Sequence, residues 1–117
     1  MVRLHYLLQK LALEDFAVDI LDTIWYLYVG QSWIGTLTPT GADDSWYYAE
    51  FTEGDAWGNF APWFIKAYEA YAAGDEQGWQ NVYNQLYMMG LSLVAESGAA
   101  YENPTVLVDG GNAWFVV

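Results

Sequence analysis

The sequence predicts an α+β domain, an antiparallel sheet of about five to seven strands with two helices packed on one face. Three features point that way. Short β-branched and aromatic runs lie between glycine-bearing turns, two later segments carry apolar residues at three- and four-residue spacing, and a strong hairpin signal closes the chain. One unit spanning residues 1–117 is expected, because no internal repeat, linker or low-complexity tract interrupts it and 117 residues is a common single-domain length.

Residues 4–18 fit two patterns. Leu4, Leu7, Leu8 and Leu11 make a helical stripe, whereas Leu11, Leu13 and residues 16–18 could pair as a strand, and the second half leans towards the strand. Residues 23–29 (TIWYLYV) read as a strand, and Gly30-Gln31 as a type II′ turn in which glycine takes positive φ. Residues 32–38 should return antiparallel, Pro39-Thr40-Gly41 should turn, and residues 45–52 (SWYYAEFT) should form the next strand. Tyr47, Ala49 and Phe51 then share one face and Trp46, Tyr48 and Glu50 the other. Asn59 is the expected N-cap of a first helix, with Pro62 in its first turn. Its buried stripe is Phe60, Trp63, Phe64, Ala67, Tyr68 and Tyr71, leaving Lys66, Glu69 and Ala70 outside, and Gly74 ends it. Asp75 caps a second helix with the stripe Trp79, Val82, Tyr83, Leu86 and Met89, stopped by Gly90. Residues 91–95 alternate like a strand, and residues 105–108 and 113–117 flank the Asp109-Gly110-Gly111-Asn112 hairpin.

Several segments together resemble a group of small uncharacterised bacterial proteins. They are Trp25-Tyr26-Leu27-Tyr28, then Trp33-Ile34-Gly35-Thr36-Leu37, the second aromatic strand, the two helices, and the closing Val108-Asp109-Gly110-Gly111-Asn112-Ala113-Trp114-Phe115 hairpin. The likeness spans residues 23–117, and it implies an α+β fold and no activity.

Composition narrows the function classes. Apolar residues make up 55% of the chain and aromatics 19%, too much for intrinsic disorder and enough for a dense core. Cysteine is absent, which removes disulfides, thiolate metal sites and a cysteine nucleophile, and suits a reducing, cytoplasmic setting. Near the start, Glu14 and Asp15 cut the leucine-rich run too early for a signal h-region or a membrane span. Fifteen acids face three cations, Arg3, Lys10 and Lys66, for a net charge of -12, and what is unusual is the scarcity of Lys and Arg. Such a field repels nucleic acid and anionic lipid and complements a basic protein surface.

No catalytic apparatus stands out. The single imidazole, His5, has no Gly-x-Ser-x-Gly elbow to serve, and no G-x-x-x-x-G-K cradle exists for a nucleotide. Asp43, Asp44, Glu50, Glu53 and Asp55 are the best oxygen ligands, but their spacing does not match a calcium-binding loop, so neither metal nor cofactor is expected. A sugar-cleaving carboxylate pair lacks any clear cleft signal. The expected role is therefore non-catalytic. Asp43, Asp44, Trp46, Tyr48, Glu50, Glu53, Asp55 and Trp57, carboxylates interleaved with aromatics, would engage a basic partner. Two forms suit this: an anti-CRISPR or anti-restriction antagonist acting as a DNA mimic, and an immunity protein that blocks a nuclease toxin. The competing readings are a small-molecule or carbohydrate binder stacking ligands on Trp46, Tyr48 and Trp57, a homo-oligomer that buries exposed rings against its own copies, and simple packing of those rings beneath the helices.

Overall fold

A computed structural model of the protein describes residues 20–117. Within them the chain forms β1 (Trp25–Val29), β2 (Ser32–Ala42), β3 (Tyr47–Glu53), α1 (Trp57–Ala72), α2 (Glu76–Met88), β4 (Leu91–Ala95), β5 (Ala100–Glu102), β6 (Thr105–Asp109) and β7 (Asn112–Val116). The strands make one seven-stranded sheet in the order β5-β4-β1-β2-β3-β7-β6, antiparallel throughout, so the α+β architecture read from the sequence holds. The expected strand or helix within residues 4–18 lies outside the described residues.

Period-two alternation decides which side chains enter the core. Trp25, Leu27 and Val29 of β1 are buried, as are Leu91, Leu93 and Ala95 of β4, Ala49 and Phe51 of β3, and Ala113 and Phe115 of β7. The sheet curls round this face. Trp25 touches Tyr101 of β5 (ring centroids 5.6 Å apart) and Phe115 of β7 (6.1 Å), and its indole N–H donates to the Ile20 carbonyl (3.0 Å). The helices pack against each other, α1 on β6 and β2 and α2 on β4. Consequently β6 is buried on both sides at Val106, Leu107 and Val108. Among the described residues no polar or charged residue falls in the buried class.

Three sequence expectations need correction. Pro39-Thr40-Gly41 is not a turn but part of β2, with a register shift between Pro39 and Gly41. Proline is tolerated there because the β1 pairing ends at Leu37, so beyond it β2 has a partner on one side only. The hairpin turn follows at residues 43–46. Second, α1 starts at Trp57, its N-cap is Ala56 without a side-chain cap, and Pro62 lies inside the helix. Asn59 loses that place because Trp57 packs between Phe51 (4.7 Å) and Phe64 (5.3 Å), which fixes the first turn three residues earlier. Third, β5 was not foreseen; Ala100–Glu102 is too short to show a period. Other expectations stand: Asp75 caps α2, its carboxylate accepting the Gly78 N–H (2.9 Å), and Gly30 takes φ +59° in the first hairpin.

Two core positions make opposite predictions. A Cβ on Gly35 would collide with the Phe51 ring and stand 3.2 Å from the Thr52 carbonyl, so Gly35→Ala should cost about 1–3 kcal/mol by overpacking. Tyr83 is fully buried and its hydroxyl meets no partner at full hydrogen-bond geometry among the described residues, the Val106 backbone N–H alone lying near it; burial, then the neighbouring Tyr87, push that phenol far above its ordinary value against the weaker opposing pull of Val106. Removing an unsatisfied hydroxyl relieves a desolvation penalty, so Tyr83→Phe should raise stability by ~1 kcal/mol. Urea titration of both variants reads the midpoints, and a destabilised Tyr83→Phe would show that the hydroxyl has a partner.

Candidate functional site

The candidate site follows from how α1 lies relative to β3. Sixteen residues of helix at ~1.5 Å each cover about 24 Å, close to the length of β3 with its flanking turn. The helix starts where Trp57 meets Phe51 and ends where Tyr71 meets Trp46, edge to face at 5.9 Å, so it runs back alongside the strand. Trp46 thereby begins an aromatic chain into α2: Tyr71 to Trp79 (6.2 Å), Trp79 to Tyr83 (5.5 Å) and Tyr83 to Tyr87 (5.7 Å). Tyr68 stacks on Trp114 of β7 with centroids 5.8 Å apart and planes 14° from parallel. Such pairs contribute ~0.5–1.5 kcal/mol each beyond the area they bury. The Trp63 indole N–H donates to the Gln85 side chain (3.2 Å), tying the two helices together outside the core.

All five acids singled out from the sequence are exposed, but they are strung along β3 rather than drawn together. Asp43 and Asp44 sit in the β2–β3 turn, Glu50 in mid-strand opposite Thr38 and Asn112, Glu53 at the strand's end and Asp55 in the corner before α1. Between Tyr47 and Glu53 the separation is about 20 Å at ~3.3 Å per residue. Trp46, Tyr48 and Trp57 are half-buried. Among the described residues no three His, Asp or Glu side chains are placed to hold a metal ion.

Asp43 has a structural task. One carboxylate oxygen accepts the backbone N–H groups of Ser45 (2.7 Å) and Trp46 (2.8 Å), and the Asp43 N–H donates to the Trp46 carbonyl (2.9 Å), closing the turn. The other oxygen accepts the Tyr48 hydroxyl. These bonds, that from Tyr48 foremost, hold the Asp43 carboxyl below its ordinary value of 3.8 and Tyr48 above its ordinary 10.0.

Two clefts border Tyr68. One, of about 400 Å³, is lined by Trp57, Ile65, Tyr68, Val108 and Gly110, with the carboxylates Glu53, Glu69 and Asp109. Here the fold gathers acids that are 56 positions apart in the chain at the extremes, Glu53 to Asp109. From the sequence, Glu69 lies merely outside the helix stripe and Asp109 in a hairpin turn. The other cleft, of about 240 Å³, is lined by Trp46, Tyr48, Tyr68, Tyr71, Leu107 and Trp114. A larger hollow of about 510 Å³ runs between the outer sides of α1 and α2, along Trp63, Ile65 and Val82.

No protein-family model matches the chain, and comparison with curated proteins and with solved structures finds no match. No helix among the described residues is long and apolar enough to cross a membrane.

The Asp43 turn predicts a pH effect of definite sign. A carboxyl depressed in the folded state stabilises the fold above its unfolded value, here near 3.8, and that contribution disappears as pH falls through the lower folded value. Carbon-detected NMR of Asp43 should give a midpoint below 3.8, and Asp43→Asn should loosen the Trp46 environment at neutral pH. A midpoint at or above 3.8 would contradict the turn as described.

Proposed function

We propose that this chain is a non-catalytic, cytoplasmic binding protein that engages a basic surface of another protein. The observation that carries this reading is the cleft where Glu53, Glu69 and Asp109 surround Trp57, Ile65, Tyr68 and Val108. A lysine or arginine side chain has two parts, an apolar stem and a charged head, and this cleft offers a surface for each. Aromatic walls in such a pocket are the usual seat of interface hot spots.

Charge supports the same conclusion. With three Lys and Arg residues against fifteen acids, one-to-one pairing leaves at least twelve carboxylates without such a partner inside the chain. Their summed field accelerates encounter with a cationic surface and rejects nucleic acid itself as a ligand. An inhibitor that occupies a basic nucleic-acid channel, as an anti-CRISPR or anti-restriction antagonist, uses this chemistry. So does an immunity protein seated on a nuclease toxin.

The test is association with a polyarginine peptide followed by tryptophan fluorescence. Affinity should fall at least about tenfold from low to physiological salt, since contacts at a cleft rim are screened. Neutralising Glu53, Glu69 and Asp109 together (E53Q, E69Q, D109N) should remove most of the binding. The same charge removed from Asp22, Glu96 and Glu102 (D22N, E96Q, E102Q), exposed positions elsewhere, should remove little. Equal losses in the two triple variants would mean that net charge alone attracts the peptide, and the cleft would have no role.

A further inference from the structure

The second cleft has a different chemistry. Its walls are Trp46, Tyr48, Tyr68, Tyr71 and Trp114, and Leu107 completes it, so the turn before β3, the end of α1 and the β6–β7 hairpin converge on one aromatic enclosure. The rings are reachable: Trp46, Tyr48, Tyr68 and Trp114 are half-buried and Tyr71 is 41% exposed. At about 240 Å³ it falls below the ~300–1,000 Å³ of pockets for drug-sized ligands, which limits an occupant to a small head group.

Polar groups decide which head group. The described residues that line the cleft include no amide, carboxylate or basic side chain, and the Tyr48 hydroxyl already donates to Asp43. A sugar would have at most the Tyr68 and Tyr71 hydroxyls and the Trp46 and Trp114 indole N–H groups to meet its hydroxyls, and none of the carboxylates or amides that accept strongly from them, so much of its lost hydration would go unreplaced. What the rings supply beyond apolar area is the negative face of their π-systems, which attracts a cation. Asp43 reinforces that attraction: its carboxylate accepts the Tyr48 O–H, which leaves that ring somewhat richer in electrons, and it places a negative charge beside the wall.

We propose that this enclosure binds a small organic cation of the alkylammonium class, through cation–π contact with Trp46, Tyr71 and Trp114 and the adjacent charge of Asp43. This enclosure shares only the Tyr68 wall with the acidic cleft, and the proposal does not rest on the basic-partner reading. A methylated amine fits better than a bare ammonium because its methyl groups meet ring faces and it surrenders less hydration.

Choline and its uncharged isostere 3,3-dimethylbutan-1-ol provide the test on the full chain, at matched ionic strength. Choline should change tryptophan fluorescence saturably, with a Kd on the order of millimolar, while the isostere at equal concentration should not. Tyr71→Phe should keep the affinity, whereas Tyr71→Leu, equally apolar but without a π face, should weaken it about fivefold, the effect of one cation–π contact. The triple variant E53Q/E69Q/D109N should bind choline as the parent does. Equal response to both ligands, no saturable response to choline, or undiminished binding by Tyr71→Leu would each overturn the proposal, whatever becomes of polyarginine binding.

Discussion

Among the described residues the curl of the sheet closes on the indole of Trp25. Its strand stands third in the sheet, Tyr101 belongs to the first strand and Phe115 to the sixth, yet both rings rest on Trp25. In a flat sheet β1 and β7 would be about 14 Å apart, three spacings of ~4.8 Å, too far for rings to meet at 6.1 Å without curvature. Curling brings the two edge strands β5 and β6 near enough to be joined by Asn103 and Pro104 alone. The left-handed backbone of Asn103 (φ +54°), whose N–H donates to the Leu91 carbonyl (3.2 Å), makes that short link. A single bulky side chain directed inward thus sets the curvature, and the curvature determines where the helices can rest.

The two clefts are a consequence of that placement. The corner between β3 and α1 is tied to β2 by two backbone bonds, Gly54 N–H to Ile34 carbonyl (3.0 Å) and Ala56 N–H to Trp33 carbonyl (3.1 Å). With its start anchored there, α1 runs back alongside β3 and packs on β6. Aromatic side chains are too large for a helix to settle evenly against such a strand. Tyr68, stacked on Trp114, holds the helix off, and space remains on each side of it. Side-chain bulk that stabilises the interface is therefore what keeps it from closing.

Local signals were legible wherever one residue type dictates a backbone geometry. Gly30, Gly74 and Gly90 end elements with positive φ, and the Asp75 cap and the Gly110-Gly111 hairpin lie where the sequence puts them. Reading failed where tertiary contact overrode a local preference. Pro39 looked like a turn because proline is excluded from strands paired on both sides, and nothing local reveals that β1 has already ended opposite it. The candidate site divides in the same way. Trp46, Tyr48, Glu53 and Trp57 were recognisable as aromatics and acids close in sequence, whereas Glu69, Asp109, Tyr71 and Trp114 come from distant segments, and only the curl of the sheet unites them.

The charge of the chain is hard to attribute to folding. Among the described residues the buried class holds no charged side chain, so the carboxylates do not organise the core and gain nothing from its low dielectric. Two like charges ~10 Å apart in water repel by about 0.4 kcal/mol before salt screens them, a small penalty repeated across a surface with few cations. Asp43 and Asp75 offset their share through a turn and a helix cap. Glu53, Glu69 and Asp109 make no such bond among the described residues, and they line one cleft together with apolar side chains. A cation placed among those carboxylates would draw on all three at once while its apolar part met the ring and aliphatic walls, which charges scattered singly over a surface do not provide.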